Sequence, residues 1–341
     1  MLGSRLTLAI EGALPLPQAG RIAVFAPVEG TDLSALRQER VQVITGFKPD
    51  HRAFERLGYE VAVAPEGEYA MAVVCLPRAK AEARALVAQA RAVTEGPVVV
   101  DGQRDDGVES MLKACRGIGE VSTPISKAHG KLFWLGAGDY SAWAAAPGRT
   151  EDGWLTAPGV FSADGVDPAS ALLAEQLPEL SGYGADLGAG WGYLSARVLA
   201  RFAKVKALDL VEAEHAALDC ARGNVTDERA AFHWADATGW RPGRMLDFVI
   251  MNPPFHRGRS QDPELGRAFI RAAAGMLSPR GQLFLVANAH LGYEKVMAEY
   301  FAETAGFGGT GSFKLLMGER PSRQGARAAL GSPPGQMGKK R

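Results

Sequence analysis

The second half of the chain alternates short apolar runs with segments whose apolar residues recur at helical spacing. In segment 193–202, for example, Leu194, Val198 and Phe202 fall on one helical face. Strands separated by helices at this rhythm form a parallel sheet that helices cover on both faces. The sequence therefore predicts an α/β domain, with strands at 182–188, 203–212, 230–237, 245–254 and 281–288.

The first half of the chain repeats this pattern. Segment 20–30 corresponds to 182–192, 69–90 to the strand at 245–254 and its helix, 96–103 to 281–288, and 130–138 to 311–319. We infer a duplicated α/β domain, at 1–145 and 150–320, with the boundary in the Gly- and Pro-rich segment 144–159. The first copy has no glycine-rich loop and has Leu-Pro-Arg-Ala where the second has Asn-Pro-Pro-Phe. We expect it to keep its core without an active site.

A glycine loop follows the first strand of the second domain. Asp186, Gly188, Gly190 and Gly192 form an Asp-x-Gly-x-Gly-x-Gly pattern between a strand and a helix. Glycines are needed where the backbone turns sharply and a ligand approaches the main chain closely. The carboxylate of Asp186 repels a pyrophosphate and suits an ammonium group, which favours S-adenosylmethionine as the cofactor. The alternative is a structural loop with a capping Asp.

Two further acids are expected at neighbouring strand ends. Glu212 lies 20 positions after Gly192, the spacing of an acid that binds the ribose hydroxyls of an adenosine. We prefer it to Asp209, which would lie inside the strand, where an unpaired carboxylate is costly. Asp236 is expected to end the third strand and to accept a hydrogen bond from the adenine amino group. Acids at three successive strand ends indicate one adenosine-containing ligand across this edge of the sheet.

The fourth strand ends in the motif Asn252, Pro253, Pro254 and Phe255, because two prolines cannot donate to a ladder. The side-chain carbonyl of Asn252 and the backbone carbonyl of Pro253 suit the two N–H donors of a planar amine. Phe255 can stack on the base that carries this amine. We expect Asn252 also to border the cofactor. The motif indicates direct methyl transfer from a sulfonium to an exocyclic amine, by proximity, orientation and electrostatics, without a strong general base.

The residues after this motif are candidate substrate contacts. Arg257 and Arg259 could meet RNA phosphates, or they could be ordinary solvated charges. His256 could contact the substrate or could be a polar residue of a turn.

Composition limits the possible partners. The formal net charge is +0, so an RNA site has to be a local basic patch. Three cysteines without paired spacing indicate buried thiols in a reducing compartment. No spacing of ligands suggests a metal, no apolar run is long enough to cross a bilayer, and the start of the chain does not have the pattern of a signal peptide. We expect a cytoplasmic monomer without metal or membrane. Segment 320–341 has six basic residues and no acidic one, so we expect a basic, disordered tail from 321, either solvated or gripping RNA.

The motifs resemble those of the class I S-adenosylmethionine-dependent methyltransferases. More narrowly, they resemble the ribosomal RNA guanine-N2 methyltransferases of the small-subunit methyltransferase C type and their large-subunit relatives. The resemblance covers most of the chain, with matching segments at 158–178, 252–258, 286–301, 76–87 and 126–135. The chain departs from the family at Ala189 and Trp191 in the glycine loop and at 168–170, where a Gly-Ser or Gly-Thr pair is usual.

The resemblance implies two tandem Rossmann-like class I methyltransferase domains, of which the first is degenerate. It implies that the first domain guides folding and contacts RNA. The second domain would bind S-adenosylmethionine and methylate the N2 amine of a guanine in ribosomal RNA, free or within a subunit.

Other readings of the same motifs remain open. Asn-Pro-Pro-aromatic also occurs in enzymes that methylate adenine N6 or the side-chain amide of a protein glutamine, because both substrates present a planar amine. A non-catalytic RNA-binding module would have lost the glycine loop or Asn252, and both are present.

Overall fold

The computed structural model describes residues 2–254, 256–257, 260–261 and 263–322. The chain divides into two compact units. The amino-terminal unit is Met1–Ala163 with Glu214–Ala216, and the carboxyl-terminal unit is Asp164–Ala213 with Ala217–Arg341. Each unit contains one seven-stranded mixed sheet together with helices. In the described part of the chain, no helix is both long and apolar enough to span a membrane.

The amino-terminal unit has its sheet in the order β3-β2-β1-β4-β5-β7-β6, in which only the pairs made by β7 are antiparallel. The strands are β1 (Ile22–Phe25), β2 (Val41–Ile44), β3 (Glu60–Ala62), β4 (Met71–Cys75), β5 (Val98–Gln103), β6 (Ile125–Lys127) and β7 (Gly130–Leu135), followed by the separate hairpin β8 (Gly148–Arg149) and β9 (Leu155–Thr156). The helices are α1 (Leu2–Glu11), α2 (Lys48–Arg56), α3 (Lys80–Ala92) and α4 (Val108–Arg116), with 3₁₀ turns at Gln38–Arg40, Arg104–Asp106 and Ser141–Trp143.

The carboxyl-terminal unit has its sheet in the order β12-β11-β10-β13-β16-β18-β17. The strands are β10 (Gly182–Leu187), β11 (Val205–Glu212), β12 (Ala230–Trp234), β13 (Leu246–Met251), the short pair β14 (His256–Arg257) and β15 (Ser260–Gln261), β16 (Leu277–Asn288), β17 (Phe301–Gly309) and β18 (Phe313–Pro321). The helices are α5 (Pro168–Gln176), α6 (Tyr193–Arg201), α7 (His215–Asn224), α8 (Pro263–Met276) and α9 (Tyr293–Tyr300). Every strand and helix predicted from the apolar pattern of this half is present.

Continuous apolar runs form the central strands because each sheet is buried on both faces. In β13, Val249 and Met251 pack into one core cluster, while Phe248 and Ile250 pack into the cluster on the opposite face. Parallel strands that are covered by helices on both sides have this composition rather than an alternation of apolar and polar residues. Because both of its faces are buried, β13 lies at the centre of its sheet. Its carboxyl end lies beside the carboxyl ends of the other parallel strands.

The internal repeat extends to the backbone of single residues. The two sheets have the same strand order when only the seven strands of each sheet are numbered along the chain. The amide of Ala26, after β1, donates to Ile44 O at 2.8 Å, and that of Gly188, after β10, donates to Val211 O at the same distance. Ala26 has a φ of 51°, in the left-handed region that Gly188 also occupies at 77°. The two units therefore share one chain path through this turn.

The ends of the predicted domains differ in detail from the structural units. The division between the units falls at Ala163 and Asp164, later than the expected boundary near 145–150, because the β8–β9 hairpin lies within the amino-terminal unit. At the other end, Pro321 closes β18, and the amide of Ser322 donates to Tyr300 O at 2.8 Å. These two residues of the predicted tail belong to the sheet and its surroundings. Residues 323–341 lie outside the described part of the chain.

Candidate active site

Four polar residues lie at the carboxyl ends of adjacent strands in the carboxyl-terminal sheet. Asp186 is the penultimate residue of β10, Glu212 is the last of β11, Asp236 follows β12 by two positions, and Asn252 follows β13 directly. These strands are neighbours in the order β12-β11-β10-β13. The strand order reverses at β10, because β11 and β12 lie on one side of it and β13 lies on the other. Doubly wound sheets bind ligands at the carboxyl edge where the order reverses, and we call this edge the crevice.

The glycine loop 188–192 connects β10 to α6. Gly188, Gly190 and Gly192 have φ values of 77°, 55° and 90°, a conformation that glycine adopts without strain. A β-carbon on Gly190 would meet no atom within 4 Å, whereas one on Gly192 would lie 2.8 Å from Val225 Cγ2. The middle glycine therefore borders open space that a ligand can enter, and the last one allows the loop to pack closely.

The side chain of Asp186 is completely buried beneath this loop. The hydroxyl of Ser195 donates to Asp186 Oδ2 at 2.7 Å, while Asp186 Oδ1 is buried without a hydrogen-bond partner. Burial raises the pKa of the carboxyl group to about 7. The hydrogen bond from Ser195 lowers this pKa, and the negative charge of Glu212 raises it further. A buried carboxylate with an unused acceptor is costly unless a ligand supplies a donor.

Glu212 and Asp209 have different surroundings, as their positions in the strand predict. The amide of Gly190 donates to Glu212 Oε2 at 2.8 Å, which joins the end of β11 to the glycine loop. Asp209 lies three positions before the end of β11 and pairs with His233 of β12, at 2.7 Å between Oδ1 and Nε2. Glu212 is therefore the acid of this strand that lies at the crevice.

Asp236 lies beyond the third strand rather than at its last residue, because β12 ends at Trp234. Its Oδ1 accepts hydrogen bonds from the amide and the hydroxyl of Thr238, at 2.8 and 2.7 Å. A side chain that bonds the backbone two residues onward forms a turn. Asp236 is therefore held in place by its own loop.

The side chain of Asn252 is held by two residues at the start of α5. Its Nδ2 donates to Asp167 Oδ2 and to Ser170 Oγ, both at 2.9 Å. Asp167 is also the N-cap of α5, where Oδ2 accepts the amide hydrogen of Ser170 at 2.8 Å. The two amide hydrogens of Asn252 are thus engaged by α5, and Oδ1 points away from these two acceptors.

The rest of the predicted motif is described in part. Pro253 is buried and Pro254 is exposed. His256 and Arg257 lie in β14, which pairs with β15. Phe255 and Arg259 lie outside the described residues. In the described ranges, no cluster of three or more His, Cys, Asp or Glu side chains could hold a metal ion.

Sequence reasoning missed three residues of this site, namely Asp167, Ser170 and Ser195. The Asp-Pro start of α5 is a recognisable N-cap and N1 pair, so the helix start could have been found. The contact of Asp167 with Asn252, across 85 positions, is long-range and has no local signal. In the sequence, 168–170 stood out only as a departure from the family pattern.

The amino-terminal unit has other residues at the corresponding positions. By the correspondence of Ala26 with Gly188, Val24 stands where the other unit has Asp186, and Val28 where it has Gly190. Leu76 follows β4 where Asn252 follows β13. At these three positions the amino-terminal unit therefore has apolar residues in place of the acid, the glycine and the amide of the crevice.

Comparison with known proteins agrees with this geometry. Residues 153–317 match the family Methyltransferase small domain. Ribosomal RNA small subunit methyltransferase C of Klebsiella pneumoniae is 37% identical over 167 residues, which are 47% of this chain and 47% of that protein. The protein of the same name from Enterobacter sp. has the same identity and coverage. The chain therefore spans about half the length of these curated relatives in the matched region.

A solved structure extends the similarity to nearly the whole chain. The 16S rRNA N2 methyltransferase RsmC of T. thermophilus, in complex with AdoMet and guanosine, has a TM-score of 0.76, covers 94% of this chain and 91% of its own, and is 24% identical. The predicted fold class of two tandem Rossmann-like domains is confirmed. For the carboxyl-terminal unit, the match over residues 153–317 also confirms the resemblance to methyltransferases.

Proposed function

We propose that this chain, whose residues 153–317 match the Methyltransferase small domain, transfers a methyl group from S-adenosylmethionine to the N2 amine of a guanine in ribosomal RNA. The observation that carries the proposal is the fixed amide of Asn252, whose Nδ2 is engaged by Asp167 and Ser170. This leaves a side-chain carbonyl as the acceptor at the end of β13. The names of the relatives, which methylate small-subunit ribosomal RNA, support the same reaction.

The crevice fits S-adenosylmethionine as its cofactor. Asp186 Oδ1 is a buried acceptor without a donor, which suits the ammonium of a methionine group. In this proposal Glu212, at the end of β11, binds the ribose hydroxyls, and Asp236 accepts from the adenine amino group through Oδ2. The open space at Gly190 allows the ligand to approach the backbone. The cofactor, once bound, supplies an electrophilic methyl group.

The chain's own residues orient the attacking amine. Asn252 Oδ1 and the carbonyl of Pro253 accept hydrogen bonds from the two N–H groups of this amine, so the lone pair of its nitrogen faces the cofactor. The rigid prolines hold the two acceptors together. Phe255 stacks on the base, with His256, Arg257 and Arg259 as further substrate contacts. An orientation of this kind replaces a strong general base.

The substrate class rests on the relatives more than on the site. A planar amine occurs equally in adenine and in a glutamine side chain, and the described acceptors bind any of them. Guanine is favoured because the T. thermophilus structure holds guanosine. The amino-terminal unit, which lacks the polar residues of the crevice, would support folding and RNA contact. A ribosomal RNA substrate implies that the protein acts in the cytoplasm.

The decisive experiment compares Asn252→Ala with the unchanged protein. Single-turnover methylation of ribosomal RNA or subunits, with labelled cofactor, should give N2-methylguanosine with the unchanged protein and almost none with the variant. Cofactor affinity, measured by calorimetry, should stay nearly the same, because Asn252 acts on the amine in the transition state. Full activity of the variant would refute the role of Asn252. N6-methyladenosine or methylglutamine as the product would keep the chemistry and refute the substrate.

A further inference from the structure

The contact between Asn252 and α5 raises the question of what fixes the orientation of a side-chain amide. An Asn side chain has nearly the same shape when its oxygen and nitrogen exchange places, so packing alone does not choose between the two orientations. The choice comes from the hydrogen-bonding character of the neighbours. For the proposed reaction, only the orientation with Oδ1 toward the target amine is useful.

Asp167 makes this choice. An ionised carboxylate only accepts hydrogen bonds, and its Oδ2 lies 2.9 Å from Asn252 Nδ2. Exchange of oxygen and nitrogen in Asn252 would place two acceptor oxygens at this distance, where they repel each other. Ser170 Oγ accepts from the same nitrogen. Its hydroxyl can also donate, so Ser170 supports the orientation but does not enforce it.

The two residues are held rigidly in the fold. Ser170 is buried, and its amide hydrogen is bound by Asp167 Oδ2 at 2.8 Å. Leu173 in α5 and Leu177 directly after it lie in the same apolar cluster as residues of α6 and β16. Because α5 is packed in the core, Asp167 Oδ2 and Ser170 Oγ at its start are held in one place, as a precise site requires.

We propose that Asp167 and Ser170 are positioning residues that hold the amide of Asn252 with Oδ1 turned toward the target amine. The inference rests on the proposed function, because it assigns these residues a task in the same methyl transfer. Asp167 touches neither cofactor nor substrate in this scheme. It acts through Asn252, and its acceptor oxygen, which the amide of Ser170 holds in place, specifies which end of the amide faces the reaction.

The first test uses Asp167→Gly, which removes the acceptor. Gly at an N-cap costs only a few tenths of a kcal/mol, so the melting temperature should change little. We expect kcat to fall roughly 10- to 100-fold, as for other small losses of alignment, with unchanged cofactor affinity and a nearly unchanged KM. Asp167→Asn is the matched control, because the amide hydrogen of Ser170 holds its side-chain oxygen at the place of Oδ2, where it still accepts from Asn252 Nδ2; this control should keep most of the activity. An equal kcat for the two variants would overturn the inference.

The second test is a double-mutant cycle. If Asp167 acts only through Asn252, Asp167→Gly should lower the single-turnover rate of the unchanged protein, and it should lower the residual rate of Asn252→Ala little further, a coupling expected of groups in direct contact. An equal loss in both backgrounds would overturn the inference.

A third measurement does not depend on activity. The side-chain amide hydrogens of Asn252, observed by nitrogen-15 NMR in the full chain, should exchange slowly with water and become faster in Asp167→Gly. Fast exchange in the unchanged protein would overturn the inference even if no RNA were methylated. Conversely, an unchanged protein that methylates no RNA but shows slow exchange would refute the proposed function and leave the positioning role supported.

Discussion

Replacement of Asp186 by Asn should strengthen the fold while it weakens cofactor binding. The carboxyl group is completely buried, and burial raises its pKa from 3.8 to about 7. Only Ser195 donates to it among the contacts of the described residues. Above pH 7 the folded protein therefore contains a buried negative charge that, among the described residues, only Ser195 stabilises by hydrogen bonding. Asn has the same shape without the charge.

The sign of the pH effect follows from the two pKa values. Below pH 4 the carboxyl group is neutral in both states, so it costs nothing. Between pH 4 and 7 the folded state holds a proton that the unfolded state has lost, and the free energy of unfolding falls as the pH rises. A pKa that moves from 3.8 to about 7 corresponds to about 4 kcal/mol at most, since each unit is worth about 1.4 kcal/mol.

The assay is urea unfolding of the cofactor-free protein at pH 5 and pH 8. The difference in free energy of unfolding between Asp186→Asn and the unchanged protein should grow from pH 5 to pH 8, in favour of the variant. Asp164→Asn is the matched control, because Asp164 is exposed and its replacement removes the same charge. This control should show no such growth.

Cofactor binding supplies the second half of this prediction. Calorimetry at pH 8 should show that Asp186→Asn weakens S-adenosylmethionine binding by about 1.5–3 kcal/mol, the value of a hydrogen bond to a charged group. Binding to the unchanged protein should weaken as the pH falls below 7, because the carboxyl group then holds a proton. A variant that binds the cofactor as tightly as the unchanged protein, or that is no more stable at pH 8, would refute the assignment of Asp186.

Two further predictions separate neighbouring residues of the crevice. Glu212→Ala should weaken cofactor binding by about 1.5–3 kcal/mol, and Asp209→Asn should weaken it less, because Asp209 pairs with His233 inside the sheet; calorimetry with the reverse order would contradict the choice of Glu212. Gly190→Ala should mainly weaken cofactor binding, because its β-carbon would enter the open space proposed for the ligand. Gly192→Ala should lower the melting temperature more, because its β-carbon would lie 2.8 Å from Val225 Cγ2. Equal melting temperatures for the two variants would contradict that distinction.

The sequence was sufficient for those parts of the site that depend on local pattern. Val205–Glu212 forms a strand because its apolar residues are continuous, and its end places Glu212 at the crevice. The same reasoning rejected Asp209, which lies inside the strand. Asn252 was recognisable because two prolines end β13 beside it.

The remaining features depend on contacts between distant parts of the chain. Asp186 was expected at a strand end facing a ligand, and its complete burial arises from the packing of the glycine loop and α6 around it. The orientation of Asn252 depends on Asp167, which belongs to a helix that precedes the whole sheet. Neither a spacing nor a residue type carries such information.

Ala26, in the turn after β1, adopts a backbone conformation that is strained for alanine. Its φ of 51° is a conformation that costs an L-residue roughly 1–2 kcal/mol and costs glycine nothing. The same turn in the carboxyl-terminal unit is formed by Gly188, which adopts it without strain. The amino-terminal unit thus keeps the chain path of a glycine turn at a cost in free energy. Ala26→Gly would relieve this strain, although glycine loses part of that gain through its freer unfolded chain.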